Sequence, residues 1–338
     1  MGFKGYVLRR VLSGIPVFIG LSILIFTLAR VLPGDPARLA LGPRASDEAV
    51  QSLRDHMGLD EPIVVQYLNY MAGLVQGDMG ISLTTNRNVA ADLLYFFPAT
   101  FELITVGMLI AVLFGVPLGV IAGKHKDKFG DNASRLFAFF GVSMPAFWAA
   151  ILLQLVLAFY LGLLPATGRI GTAPPRVTGL MIIDSILATD PAALRSALAH
   201  LVLPAFVLAL APMADIARMT RSSFIEEFNK EYVHSLHSSG IPGQLIAYKY
   251  VLKASFAATL TIIALDYGFL IGSAFLIEIV FAWPGMARYG VNAILENDIN
   301  AIIGVTLVVG VVFIVANIVV DVLYGYFDPR VRYGGEDE

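Results

Sequence analysis

The sequence predicts an all-α integral membrane protein with six transmembrane helices and a small outer cap between the first two. Three observations lead there. Hydrophobic residues make up 57% of the 338-residue chain and charged residues only 14%, with a mean hydropathy of +0.75, far too apolar a balance for an ordinary soluble domain. Six stretches approach the roughly 20 apolar residues that a spanning helix needs, because lipid offers the backbone no hydrogen-bond partners. The longest polar segment caught between two of them, residues 218–256, carries a helical hydrophobic stripe of its own.

The expected spans are 11–31, 101–123, 136–164, 201–217, 257–280 and 301–326, the fourth being the shortest. The first follows Lys4, Arg9 and Arg10 as a signal peptide would. Its apolar run is too long for one, and Leu32-Pro33-Gly34-Asp35-Pro36 offers no small-residue cleavage site, so it is expected to be a retained helix. With the N-terminus cytoplasmic, the inner segments hold fourteen of the 23 Lys and Arg residues and the longer outer segments nine. The positive-inside rule favours that orientation, with both termini cytoplasmic and residues 328–338 an inner tail.

About 65 residues separate the first two spans, too many for a turn. Ser46 can cap a helix over 46–57 whose apolar face is Val50, Leu53 and Met57, and 63–74 reads as a second amphipathic helix. This outer cap, within an N-terminal unit of residues 1–97, is read in two ways: a lid packed on the bundle, or part of a docking surface for an extracytoplasmic partner. Residues 98–327 form the main membrane domain. Pro16, Pro117, Pro145, Pro204 and Pro212 are expected inside helices, where each removes a hydrogen bond and favours a kink.

Chemistry is scarce. Cysteine is absent, so there is no disulfide, thiolate metal site or cysteine nucleophile. The net charge of −3 and the lack of a basic run argue against nucleic acid. Gly123-Lys124 lacks the upstream glycine of a phosphate-binding loop, and neither a Gly-x-Ser-x-Gly elbow nor a His-Glu-x-x-His helix occurs. Glu231, His234 and His237 share a helical face, yet no fourth ligand is evident and no metal site is expected. No internal repeat supports an inverted-repeat secondary transporter.

Ionisable groups in apolar runs are costly and usually face a cavity or partner. Asp266, near the middle of the fifth span, is the expected pathway-lining residue, with Gln154 a second candidate. Glu102, Asp215, Glu278 and Asp321 lie nearer span ends and are read as structural. In residues 218–256, Phe224, Phe228, Tyr232 and Leu236 recur every fourth residue and predict one docking helix ending near Ser239, stopped by Gly240 and Pro242. A separate short helix over 244–253 is expected to follow.

Several stretches together carry a resemblance that runs almost end to end. They are Leu32-Pro33-Gly34-Asp35-Pro36, the run from Gly58 to Ser82, PATFEL from Pro98, SMPAFW from Ser143, LPATGR from Leu164, RMTRSSF from Arg218, FAWPGMARYG from Phe281 and VDVLYGYFDPRVR from Val320. The chain resembles the permease subunits of ABC importers of the dipeptide and oligopeptide class, which have the type I importer permease fold.

That resemblance implies a coupling segment, Glu231, Tyr232, Val233, His234, Leu236, His237, Gly240 and Ile241, that docks on a cytoplasmic ATPase. It implies a second homologous permease, two ATPase subunits that bind the ATP and Mg, and an extracytoplasmic substrate-binding protein. It also implies that this chain is non-catalytic and holds no cofactor. Trp283-Pro284-Gly285 is then an outer gate or docking element. The chain departs from the pattern where relatives commonly show Arg-Thr-Ala-Arg-Ala-Lys, having His234-Ser235-Leu236-His237-Ser238-Ser239 instead, and the proline usual after the following helix is replaced near Ala258. Asp266 stands where relatives commonly carry an uncharged polar residue. Peptide is the expected substrate; oligosaccharides or nickel chelates in the same importer class, and an ion-coupled secondary transporter, are the alternatives.

Overall fold

The computed structural model describes residues 3–31, 36–42, 45–56, 58–126, 128, 141 and 143–327. Twelve helices are described among them. In chain order they are α1 (Phe3–Val31), α2 (Pro36–Leu41), α3 (Asp47–His56), α4 (Ile63–Val75) and α5 (Val89–Lys124). Then come α6 (Ala146–Tyr160), α7 (Met181–Leu187), α8 (Pro191–Phe228) and α9 (Glu231–Ser238). The last three are α10 (Gly243–Val280), α11 (Met286–Leu295) and α12 (Ile299–Phe327). No strand occurs among the described residues, only an isolated antiparallel bridge between Ile81 and Asn88.

Among the described residues five helices are long and apolar enough to cross a bilayer: α1, α5, α8, α10 and α12. The expected third span is represented by the shorter α6, while its start at 136–140 lies outside the described residues. Pro145 stands immediately before α6 rather than inside a helix, in keeping with its missing donor and the restriction it places on the preceding residue. The expected fourth span, 201–217, proves to be the middle of a 38-residue helix. Apolarity marks only the part of a helix inside lipid; α8 continues past both ends because Asp190 caps it through Ala192 and Ala193 N–H groups and its polar final turns still pack.

The bundle core is α5 against α8, and sequence explains how closely they approach. Gly115, Gly119 and Gly123 recur every fourth residue on one face of α5. A Cβ on Gly119 would lie 2.6 Å from the Ala217 carbonyl oxygen, and one on Gly115 2.8 Å from that of Met213. Larger residues would hold the helices apart. Hydroxyls add directional links: a buried pair, Thr220 to Thr259 at 3.1 Å, joins α8 to α10, and a half-buried one, Thr105 to Tyr267 at 2.9 Å, joins α5 to α10. At the bundle edge α1 packs on α12, where Arg10 pairs with Asp321 at 3.3 Å.

The cap helices are close to expectation, at 47–56 and 63–75 rather than 46–57 and 63–74, with Ser46 Oγ accepting from Ala49 N–H at 3.3 Å and Val50 buried. Met57, the Leu32–Asp35 part of the first motif and the tail 328–338, with Arg330 and Arg332, lie outside the described residues.

Candidate functional site

Thr100 and Val120 lie twenty residues apart on α5, about 30 Å along its axis, close to the thickness of a bilayer core. Each marks a cluster at one end of the bundle. Between them lies a cavity.

At the Val120 end the predicted docking helix is broken. α8 ends at Phe228, Asn229 caps it, and Lys230 is extended before α9 begins. The single stripe Phe224, Phe228, Tyr232, Leu236 therefore does not exist. The break re-registers the chain, so that Val233 rather than Tyr232 points inward and joins Val120, Phe224, Ile246, Ala247 and Val251 in a buried cluster flanked by Phe228, Leu236 and Ile241. Phe224, Phe228 and Leu236 thereby serve as a footing for α9 within the chain. The expected separate helix over 244–253 is also corrected: it continues without a break into the fifth span through a π-helical turn at Ile246–Val251.

α9 ends as expected. Gly240 takes φ +75°, its N–H donates to His237 O at 3.0 Å, and Ile241 N–H donates to Leu236 O at 3.2 Å. This is a Schellman closure, and Leu236 and Ile241 both pack against the Val233 cluster. With Val233 and Leu236 turned inward, Glu231, Tyr232, His234, Ser235, His237 and Ser238 form an exposed, polar outward face. His237 meets the Phe228 ring edge-on at 6.3 Å. Partial burial, then the charge of Glu227, push the Tyr232 phenol up to about 12, so it stays a neutral donor.

Midway along the bundle, Asp266 lines a cavity of about 360 Å³ together with Asp215, Met144, Pro212, Phe269 and Ser273. Asp215 is paired with Arg218 at 2.7 Å. Asp266 Oδ2 is buried without a hydrogen-bond partner among the described residues. Gln154 does not line this cavity; its amide donates to Ala166 O at 2.6 Å, tying α6 to the segment before α7.

At the Thr100 end, Trp283 is buried and its indole N–H donates to Ala99 O at 3.0 Å. Pro284 is exposed, and Gly285 is buried against the Glu278 carboxylate so tightly that a Cβ would overlap it. Glu278 accepts from Thr100 Oγ1 and from Arg288 N–H. Beside it Arg169 donates to Glu102 at 2.6 Å and lies 5.7 Å from the Trp283 ring centroid. Asp184, fully buried in the segment between α6 and α8, accepts from Val177, Thr178 and Gly179 N–H groups. Burial raises its carboxyl, but these bonds, Thr178 first, outweigh burial and hold it below the usual range.

Comparison with known proteins then decides the family. Residues 115–333 match the family described as binding-protein-dependent transport system inner membrane component, and residues 3–104 match the corresponding N-terminal family. The chain belongs to this family of inner membrane transport components. It is 39% identical to the dipeptide transport system permease protein DppB of Alkalihalophilus pseudofirmus over 330 residues, 97% of this chain and 99% of the relative. It is 37% identical to the probable D,D-dipeptide transport system permease protein DdpB of Escherichia coli K12, covering 99% of each. With the glutathione transport system permease protein GsiC of Escherichia coli O6:H1 it shares 34% over 328 residues, 97% of this chain and 99% of the relative. The chain is thus a multi-pass permease subunit with the type I importer permease fold.

The sequence singles out Trp283 and Gly285 but not what holds them. Arg169 and Glu102 stood in the LPATGR and PATFEL motifs, yet 67 residues separate them and nothing local joins them. Glu102, Asp215, Glu278 and Asp321, read as structural, all have partners.

Proposed function

We propose that this permease forms half of a translocation pathway for di- and oligopeptides, facing a second, non-identical permease and driven by two cytoplasmic ATPases that bind the ATP and Mg. The names of its relatives, which transport dipeptides or glutathione, support the peptide class. The observation that carries the coupling role is α9: a short helix anchored by Val233 and Leu236, capped by a Schellman closure and presenting a continuous polar face. The Val233 end is then cytoplasmic, as are both termini, in agreement with the distribution of Lys and Arg.

In this reading each ATPase grips one α9. ATP binding closes the ATPase pair and carries the coupling helices together, and the bundles swing from inward-facing to outward-facing. ATP drives the change only through its different affinity for the two states, so α9 must transmit displacement without slipping. Its footing on α5, α8 and α10 suits that task, because a push on Val233 reaches three long helices at once. The chain itself supplies no catalytic group to hydrolysis. A binding protein delivers substrate to the opposite end, where Trp283-Pro284-Gly285 closes the pathway, and Asp266 meets a cation or donor on the peptide as it passes.

Uptake into proteoliposomes tests this reading. Labelled dipeptide should accumulate only when the partner permease, both ATPases, the binding protein and ATP are present; accumulation driven by a proton or sodium gradient without ATPases contradicts it.

A further inference from the structure

The outer cap helix α4 is apolar on two faces. Its inner face packs on α1: Tyr67 Oη and Ser22 Oγ are 2.8 Å apart, and the Phe26 ring lies 5.4 Å from Tyr67 and 5.6 Å from Tyr70. The other face carries Val64, Leu68 and Val75, exposed by 65%, 59% and 83%. Between Ile63 and Val75 there is no charged residue.

Depth separates lipid from water here. The apolar stretch of α1 runs Gly5–Thr27, and Ser22 lies five residues inside its end, about 8 Å below it. The Tyr67 contact therefore sets the middle of α4 beside the apolar part of α1, not beyond it. At thirteen residues, about 20 Å, α4 is too short to span a bilayer core. Its two side-chain amides are already engaged away from the exposed stripe: Gln66 donates to Leu59 O and Glu61 O, and Asn69 donates to the Glu61 carboxylate. Protein interfaces concentrate aromatic residues and Arg at their core and carry hydrogen bonds that fix register. The Val64, Leu68, Val75 stripe has neither.

We propose that α4 is sunk in the bilayer leaflet at the Phe26 end of α1, with the Val64, Leu68, Val75 stripe against acyl chains, and so anchors the cap to the membrane. The cap is then neither a lid on the bundle nor wholly free for an extracytoplasmic partner.

The chain has no cysteine, so single replacements give clean labelling sites. The assembled transporter in lipid nanodiscs, carrying a nitroxide at Val64→Cys, Leu68→Cys or Val75→Cys, is probed with oxygen, a water-soluble nickel chelate and doxyl-labelled lipid. The expected result is broadening by doxyl lipid and collision with oxygen exceeding that with nickel, while a Glu61→Cys label collides mainly with nickel. Nickel collisions at Leu68 equal to those at Glu61 place the stripe in water and overturn the proposal. A Leu68 label reached by no probe places it under protein and overturns it equally.

Discussion

Arg169 closes on Glu102 at 2.6 Å, with both side chains less than a tenth exposed, and the same guanidinium lies over the ring of Trp283. One cation thereby joins α5, the segment before α7 and the Trp283 loop after α10. Removing one member of a buried pair leaves the other charge uncompensated, which costs about 3–5 kcal/mol. Arg169→Met should lower the thermal stability of the purified permease by that order, and adding Glu102→Gln should recover part of the loss. Equal melting of wild type and Arg169→Met would show that the pair does not hold the Trp283 loop in place.

The loop after α10 depends on a missing side chain. A Cβ on Gly285 would overlap the Glu278 carboxylate, so Gly285→Ala is expected to reduce uptake and melting temperature together. Shortening the carboxylate with Glu278→Asp in the same chain should restore part of both. Failure of that second change to rescue either quantity counts against the close approach as the cause.

Gly119 sets the separation of α5 and α8. Gly119→Ala places a Cβ against the Ala217 carbonyl, and overpacking of this kind typically costs about 1–3 kcal/mol. Melting in detergent should show it, with Gly119→Leu worse than Gly119→Ala. A neutral Gly119→Leu would mean that the helices are not in register here.

The segment before α8 should loosen in acid. The Asp184 carboxyl is held below its ordinary value of 3.8 by hydrogen bonds made to its charged form, after burial has pushed the other way. A lowered folded value adds stability above the unfolded pKa, and that stability disappears as pH falls through the folded value. Protection factors at 177–188, corrected for the intrinsic pH dependence of amide exchange, should be high and flat near neutrality and fall below the ordinary carboxylate range. Asp184→Asn should be weakly protected at neutral pH and lose the acid dependence.

Asp266 is expected to act on the substrate and not on coupling. Asp266→Asn should change dipeptide uptake by about tenfold, the equivalent of ~1.4 kcal/mol, while the ATPase activity of the assembled complex is retained. Unchanged uptake of every peptide tested removes Asp266 from the pathway.

Particular residues show how far the sequence could be read. Composition and apolar length sufficed for the membrane class, and the quoted motifs for the family, because both are properties of contiguous residues. The stop at Gly240 was legible for the same reason: a glycine followed by Pro242 acts locally. The break at Asn229-Lys230 was not, since a regular spacing of Phe224, Phe228, Tyr232 and Leu236 fits one helix as well as two, and only packing on Ile246 and Val251 selects Val233. The 38-residue length of α8 was hidden because its final turns are polar in sequence yet buried at Thr220 and Phe224. Long-range polar pairs such as Glu102 with Arg169 left no local trace. The four-residue glycine repeat on α5 was visible and was the available sign of the α5–α8 contact.

The coupling role of α9 is tested most directly by photo-cross-linking from Tyr232 and His234, two exposed positions on its outward face, in the intact transporter. The account predicts adducts with an ATP-hydrolysing subunit, altered in yield when ATP is bound. Adducts confined to lipid, or to proteins on the face of the membrane that bears Trp283, contradict it.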